Sequence, residues 1–139
     1  MSDTLLKIEI VTPKQTAYKG NGQAITLPGT LGPFQVLVNH APIISSLEIG
    51  AIKIIDEEGE DIYFATNGGF AEIKNNVVSI VVETAEPAAE IDIAKAQTTL
   101  AQAEERVALT SDKLLKGEEK IIIAQAKNRI RVVEASNES

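Results

Sequence analysis

The chain has 139 residues, enough for one ordinary domain or for a small domain with an appendage, but too few for two full cores. The absence of cysteine excludes a disulfide scaffold, a thiolate metal site and a cysteine nucleophile, and it fits a reducing compartment. A net charge of -7 argues against a protein that binds the phosphates of nucleic acids, since nothing would offset the repulsion.

The hydropathy pattern and the first residues predict no membrane segment. Uninterrupted apolar runs are no longer than about five residues, whereas a helix needs roughly 20 to span a bilayer. The start, MSDTLLKIEIV, also lacks the basic region of a signal peptide. We therefore expect any association with a membrane to depend on a protein partner.

Residues 1–86 show a period of two, which is typical of short strands with one buried face. Near the start, Leu6, Ile8 and Ile10 alternate with a second row that includes Lys7 and Glu9. Comparable strands are predicted at 23–28, 34–38, 50–56, 61–67, 69–74 and 77–83. Turn-forming clusters are predicted between them, at 19–22, 28–33, 56–61, 67–69 and 74–76. This spacing predicts an antiparallel β-sandwich or barrel of about eight to ten strands.

The last of these segments, 77–83, has apolar residues on both of its faces. Val78, Ile80 and Val82 occupy one face, and Val77 and Val81 belong to the other. A strand that is apolar on both faces is typical of the middle of a sheet, so we predict a central position for it.

From residue 90 the chain becomes rich in alanine and its apolar period changes to 3.6, which predicts helices. Asp92 is placed to cap the first turn. The stripe of the first helix consists of Ile93, Ala96, Leu100, Ala103 and Val107. The stripe of the second consists of Ile123, Ala126, Ile130 and Val133. The pattern breaks within 110–117, where Gly117 disfavours a helix interior, so an antiparallel helix hairpin is predicted.

The two stripes are thin, because three of their nine members are alanine and two are valine. At roughly 25 cal/mol per Å² of buried apolar surface, such a seam holds a helix in place with only a few kcal/mol. We therefore expect a hairpin that is able to occupy more than one position.

His40 is the only histidine, and it lies in the apolar run LVNHAPIISSLEIGAIKI at 37–54. With no cysteine and no second histidine, a zinc or copper site at this residue lacks its preferred ligands. No serine stands in a GxSxG motif either. We interpret His40 as a turn residue ahead of Pro42 that bonds locally or meets a partner, with no catalytic or metal-binding role.

Two further stretches are candidates for binding a ligand or a partner. The glycine-rich stretches at 28–35 and 67–70 lack the lysine of a phosphate loop or a following helix, so they are interpreted as turns. The stretch KNRIRVVE at 127–134 is basic without any aromatic residue, which favours a solvated helix face or a surface for acidic groups of a protein partner. No cluster of polar groups suits an enzyme, so the residues indicate a binding or regulatory protein.

The order of these parts resembles the epsilon-subunit family of F-type ATP synthases, whose mitochondrial counterpart is called delta. The matching motifs are GTLGPFQVLVNHAPIISSLEIGAIKI at 29–54, YFATNGGFAEIKNNVVSIVVETAE at 63–86 and AKNRIRV at 126–132. The resemblance implies a β-sandwich domain of ten strands at 1–86 and a helical hairpin domain at 87–139. It also implies a rotor subunit at the cytoplasmic face of a bacterial plasma membrane, where the sandwich binds the gamma subunit and the ring of c subunits.

The resemblance implies roles for several residues, none of them catalytic or metal-binding. The loop of His40 and Pro42 would lie at the interface with gamma and the c-ring. An extended hairpin would reach the acidic loops of the alpha and beta subunits and inhibit ATP hydrolysis. The cations placed to make those contacts are Arg106, Lys127, Arg129 and Arg131.

Some bacterial members of that family bind ATP through an Ile-Asp-x-x-Arg-Ala motif and two arginines of the second helix. Here Asp92 matches, Lys95 stands where the arginine falls, and Gln125 and Arg129 occupy the two positions on the second helix. Lysine lacks the bidentate fork of arginine, so the sequence predicts no firm cofactor, with ATP as a candidate regulatory ligand.

Two other functions remain open when the residues are considered without the resemblance. One is a free-standing β-sandwich adaptor with a helical arm for dimerisation. The other is an ATP-sensing module whose hairpin exists mainly to bind the nucleotide.

Overall fold

A computed structural model describes residues 4–138 of the chain and contains nine strands followed by two long helices. The predicted class, a β-sandwich followed by a helix hairpin, is confirmed. The strands are β1 Leu6–Val11, β2 Thr16–Gly29, β3 Gly32–Leu37, β4 Ile43–Leu47, β5 Gly50–Asp56, β6 Asp61–Thr66, β7 Gly69–Lys74, β8 Val77–Val82 and β9 Glu86–Pro87. After a 3-10 turn at Ala88–Glu90, the helices are α1 Ile93–Leu109 and α2 Lys113–Glu138.

The strands form two layers that share β2. The first layer has the order β2-β1-β8-β7-β4, and the second has the order β3-β2-β5-β6-β9. Because β2 belongs to both layers, two layers of five strands arise from nine strands in the described residues. All pairs are antiparallel except β1 with β8, which is parallel.

The predicted turn at 19–22 is wrong, because these residues continue strand β2. Gly22 lies where β2 passes from one layer to the other: it pairs with Leu6 of β1 and with Asp56 of β5. A Cβ atom on Gly22 would lie 2.9 Å from the Ile55 carbonyl oxygen and 2.9 Å from Ile8 Cδ1. The glycine therefore permits a close approach of two layers, a role that sequence alone does not separate from turn formation.

The sequence analysis missed strands β4 and β9 and the first half of β2. In β4 only Leu47 is buried, while Ile43 and Ile44 are exposed, so the strand lacks the alternation that identifies a half-buried strand. Strand β9 has only two residues, and its Pro87 pairs with Phe64 at the edge of the second layer.

Alternating residues of both layers meet in one core. Its largest fully buried members are aliphatic, and they include Leu6, Ile25, Ile52, Ile54 and Ile80. The predicted central position of β8 is confirmed, since this strand lies between β1 and β7.

Both helices begin at aspartate caps. Asp92 accepts a hydrogen bond from the Lys95 amide at 3.1 Å, as predicted, and Asp112 accepts one from the Leu114 amide at 2.9 Å. The break between the helices falls at 110–112, inside the predicted interval. Gly117 itself lies within α2, where no atom stands within 4 Å of a Cβ added to it. The capping aspartate, and not the glycine, marks the start of the second helix.

Candidate functional site

The helix hairpin covers the outer side of strands β5 and β6, on which α2 packs, while α1 packs against α2. The predicted stripes form the seam between the helices, and Ala96, Ala103 and Ala126 are its fully buried members. Ala65 follows the core residue Phe64 and therefore faces away from the core, yet it is only 3% exposed. We name this surface of the second layer, beneath α2, the covered face.

A second buried row of α2 was missed by the sequence analysis. Val132 is 1% exposed and Asn128 is 5% exposed, although both fall outside the predicted stripe. Together with Ala135 they line a cleft of about 480 Å³ against residues of β2, β5 and β6. A helix that packs on two neighbours buries two stripes, but an asparagine within one of them conceals the second stripe in the sequence.

Three polar contacts join the parts of the hairpin and attach it to the sandwich. Asn128 Nδ2 donates to the Gly50 carbonyl oxygen at 2.8 Å. Arg129 Nε lies 2.7 Å from Glu86 Oε1 on strand β9. Arg106 Nε lies 2.9 Å from Glu119 Oε1, which links the two helices. Two of the four cations predicted to face a partner are thus engaged within the chain in this docked position.

The structure brings together the three predicted candidates for ATP binding. Asp92, Lys95 and Arg129 line one cleft of about 250 Å³ at the base of the hairpin. Glu86 and Glu90 line it as well, so three carboxylates face two cations there. Because Arg129 is already paired with Glu86, a phosphate group would have to displace a carboxylate to reach it.

The other two predicted cations lie together on a different side of α2. Lys127 and Arg131 line a cleft of about 590 Å³ with Lys120 on the helix and with Glu48 and Asn67 on the sandwich. In the part of the chain that the structure describes, neither Lys127 nor Arg131 has a carboxylate within 4.0 Å. This stretch therefore presents two cationic side chains that form no ion pair within the described residues.

The outer side of the first layer carries exposed apolar residues that no part of the described chain covers. Phe70 on β7 is directly opposite Val81 on β8, and Ile44 on β4 lies diagonally from Phe70. Their exposed fractions are 62% for Phe70, 60% for Val81 and 73% for Ile44. We name these three residues the apolar face. Exposed apolar side chains that adjoin one another are typical of protein interfaces.

The loop of His40 and Pro42 lies next to the turn between β7 and β8. The Asn39 amide donates to Asn76 Oδ1 at 2.6 Å, which joins the loop to that turn. His40 Nδ1 donates to the Ala41 carbonyl oxygen at 2.7 Å, the local hydrogen bond predicted for a turn residue. Pro42 is exposed. The loop is thus held at one end of the sandwich, separate from the hairpin contacts.

Residues 4–138 contain no group of three histidine, cysteine, aspartate or glutamate side chains arranged to hold a metal ion. Neither helix of this part is long and apolar enough to cross a membrane.

Sequence comparisons identify relatives along most of the chain. A family model described as "ATP synthase, Delta/Epsilon chain, beta-sandwich domain" matches residues 5–88. The ATP synthase epsilon chain of Syntrophomonas wolfei is 32% identical over 134 residues, which cover 96% of this chain and 98% of the relative. The ATP synthase epsilon chain of Pelotomaculum thermopropionicum is 42% identical over 108 residues, which cover 78% of this chain and 80% of the relative.

Solved structures with a similar fold come from two mitochondrial ATP synthases. A chain of the Euglena gracilis assembly, described as OSCP/F1/c-ring, aligns with a TM-score of 0.84 over 96% of this chain and 82% of its own length. A chain of the Tetrahymena thermophila central stalk and c-ring aligns with a TM-score of 0.54 over 94% of this chain and 96% of its own length. Their sequence identities, 22% and 17%, are low, so these matches support the fold alone.

Proposed function

The chain belongs to the delta/epsilon family of ATP synthase subunits, and from this premise we propose that it is a non-catalytic subunit of the central stalk. In this role the β-sandwich couples the c-ring to the gamma subunit, so that rotation of the ring is transmitted to the catalytic head. The hairpin regulates ATP hydrolysis by leaving the sandwich. The assembled enzyme places the chain at the cytoplasmic face of a bacterial plasma membrane, with no membrane contact except through the complex.

The observation that carries the coupling role is the difference between the two outer sides of the sandwich. The hairpin covers one side, whereas the apolar face of Ile44, Phe70 and Val81 stays exposed on the other. A subunit that transmits torque requires a rigid body with a surface for its partner, and a closed β core with an uncovered apolar face supplies both. We assign this face to gamma.

The test is a charged substitution on the apolar face. Phe70→Glu leaves the core intact, because Phe70 is largely exposed, and should weaken gamma binding by about 10- to 100-fold through loss of a buried aromatic contact. Leu37→Glu is the matched control, since Leu37 is 53% exposed on β3, outside the apolar face. If titration gives the same affinity for gamma in Phe70→Glu and Leu37→Glu, gamma binds a surface other than the apolar face.

The loop of His40 and Pro42 is proposed to meet the polar loops of the c-ring. The Asn39–Asn76 hydrogen bonds fix this loop to the turn of β7 and β8, so a contact there would be rigid enough to carry load. Because the chain has no cysteine, Pro42→Cys provides a single site for cross-linking to the c subunits in the assembled enzyme. A cross-link to alpha or beta subunits alone would contradict this placement.

The regulatory role of the hairpin rests on its weak attachment and its free cations. The buried residues that α2 turns to the sandwich are Asn128 and Val132, and Lys127 and Arg131 form no ion pair within the described residues. Release would also free Arg129 from Glu86. We propose that the extended hairpin presents Arg106, Lys127, Arg129 and Arg131 to acidic loops of the alpha and beta subunits and blocks rotation in the hydrolysis direction.

Deletion of residues 88–139 tests this regulation. The shortened chain should still fold as a sandwich and bind gamma, because the core cluster lies entirely within β1 to β8 and Ala85. ATP hydrolysis by the assembled enzyme should rise when the hairpin is absent. If hydrolysis is unchanged, only the coupling role survives.

ATP sensing is a second candidate function, and one observation favours it. Asp92, Lys95 and Arg129 line the same cleft, as an ATP site of the hairpin would require. We rank it below mechanical regulation because the cleft also carries Glu86 and Glu90. Calorimetric titration with ATP and magnesium should give weak binding that strengthens in the double variant Lys95→Arg, Gln125→Arg. Failure of that variant to bind would dismiss the sensing role.

A further inference from the structure

The contact between α2 and the sandwich contains one buried amide. Asn128 and Thr66 are the buried polar residues of the part that the structure describes, and they lie against each other. Asn128 Nδ2 donates to the Gly50 carbonyl oxygen at 2.8 Å and lies 3.5 Å from the Thr66 carbonyl oxygen. The remainder of this row is apolar, with Val132 fully buried.

The carbonyl groups of Gly50 and Thr66 belong to the last residue pair between β5 and β6. Bonded and non-bonded pairs alternate along this antiparallel ladder, and the Asp56 amide donates to the Glu60 carbonyl oxygen, so the last pair, Gly50 and Thr66, exchanges both backbone hydrogen bonds. A carbonyl oxygen has two lone pairs, so the amide of Asn128 adds a second hydrogen bond to a Gly50 carbonyl that already has its strand partner.

This arrangement selects one position of the helix. A shift of α2 by one turn, about 5.4 Å, would bring Ala124 or Val132 to the carbonyls and take the Asn128 amide away from both of its acceptors. The neighbouring Arg129 pairs with Glu86, whose partner in the sheet is Ala65 on the same strand β6. Two adjacent residues of α2 thus contact strands that flank β6: Asn128 bonds to Gly50 of β5 through a neutral amide, and Arg129 pairs with Glu86 of β9 through a charge.

We propose that Asn128 is a positioning residue that latches the hairpin onto the sandwich. In the docked state the buried Asn128 amide donates to the Gly50 carbonyl oxygen, and in the released state water takes the place of each partner. The latch therefore fixes the docked position without making release prohibitively costly, as a large apolar contact would. Its regulatory meaning rests on the proposed function, but the latch itself is a property of the isolated chain.

The experiment compares Asn128→Asp with Asn137→Asp in the full chain. Asp is nearly the same size as Asn, but its carboxylate cannot donate to carbonyl oxygens, so the docked population should fall at least about tenfold. Asn137 is exposed on the same helix, and its variant carries the same added charge. Nitroxide labels at Glu58→Cys and Glu134→Cys report the distance between sandwich and hairpin, and the chain has no other cysteine.

A third variant, Asn128→Ala, separates the lost donor from the added charge. Release in both Asn128→Asp and Asn128→Ala, with Asn137→Asp docked and thermal unfolding of the sandwich unchanged, supports the latch. A wild-type distance distribution in Asn128→Ala overturns it, whether or not Asn128→Asp is released. If the latch holds but the released variants leave hydrolysis by the assembled enzyme unaltered, the proposed regulation fails and the latch stands.

Discussion

The sandwich core and the helix seam are built from side chains of different size. The core contains fully buried isoleucines such as Ile25, Ile52 and Ile54, whereas the seam buries alanines. Burial of one large aliphatic side chain contributes about 1.5–3 kcal/mol, against about 0.8 kcal/mol for a single methylene group. The same chain therefore carries a body that resists deformation and an arm whose two helices are held together by little apolar surface.

This contrast follows the proposed division of labour. A rotor body must not yield under torque, so a cooperative core that joins eight strands is favourable. A regulatory arm must leave and return, so the free energies of its two positions must differ by only a few kcal/mol. Substitutions in the core, the seam and the attachment of α2 test this contrast.

The strongest test is a cavity in the core. Ile54→Ala removes a fully buried side chain from β5 and should lower the free energy of unfolding by about 2–5 kcal/mol. The loss would be measured by urea unfolding followed by circular dichroism, because the chain has no tryptophan. A loss below about 1 kcal/mol would mean that the core is no firmer than the seam.

The second test overfills the seam. Ala103 is fully buried between the helices, so Ala103→Leu should force them apart at a cost of about 1–3 kcal/mol. The distance between a label on α1 and a label on α2 should lengthen, while urea unfolding of the sandwich stays as in the wild type. The control is Ala101→Leu, because Ala101 is exposed on the same helix. Loss of sandwich stability in Ala103→Leu would show that the two regions are coupled.

The third test removes the charged attachment of α2. Arg129→Gln breaks the ion pair with Glu86. The side chains of Arg129 and Glu86 are 29% and 41% exposed, respectively. Solvent screening limits the expected loss of docking to about 1 kcal/mol or less. Wild-type docking should weaken as salt is raised, while docking of Arg129→Gln should not respond. Arg131→Gln, which removes an unpaired cation, should keep the salt response of the wild type.

The smallest effect is expected from a gain in helix propensity. Gly117 lies within α2, and a Cβ there meets no atom within 4 Å, so Gly117→Ala should stabilise the helix by up to about 1 kcal/mol. Hydrogen exchange of the first turns of α2 should slow accordingly. Gly50→Ala should instead lower the stability of the sandwich, because the added Cβ would lie 2.5 Å from Pro28 Cβ. If hydrogen exchange is unchanged in Gly117→Ala, exchange in α2 is limited by release of the helix from the sandwich and not by its helix propensity.

The sequence alone determined the class of fold and the character of the hairpin. Alternation of period two identified most strands, the 3.6 period identified both helices, and Asp92 marked the first of them. The predicted apolar stripes, which include Ala96, Ala103 and Ala126, form the contact between the two helices. These features are local, because periodicity and capping depend on residues within a few positions of one another.

Only the tertiary structure decided where β2 changes layers and which side of α2 meets the sandwich. Gly22 resembles a turn residue until its two partners, Leu6 and Asp56, are known. Asn128 resembles a solvated residue until the Gly50 carbonyl stands 2.8 Å from it. Both depend on residues distant in sequence, whose approach is fixed by packing of the whole core and leaves no local pattern in the chain.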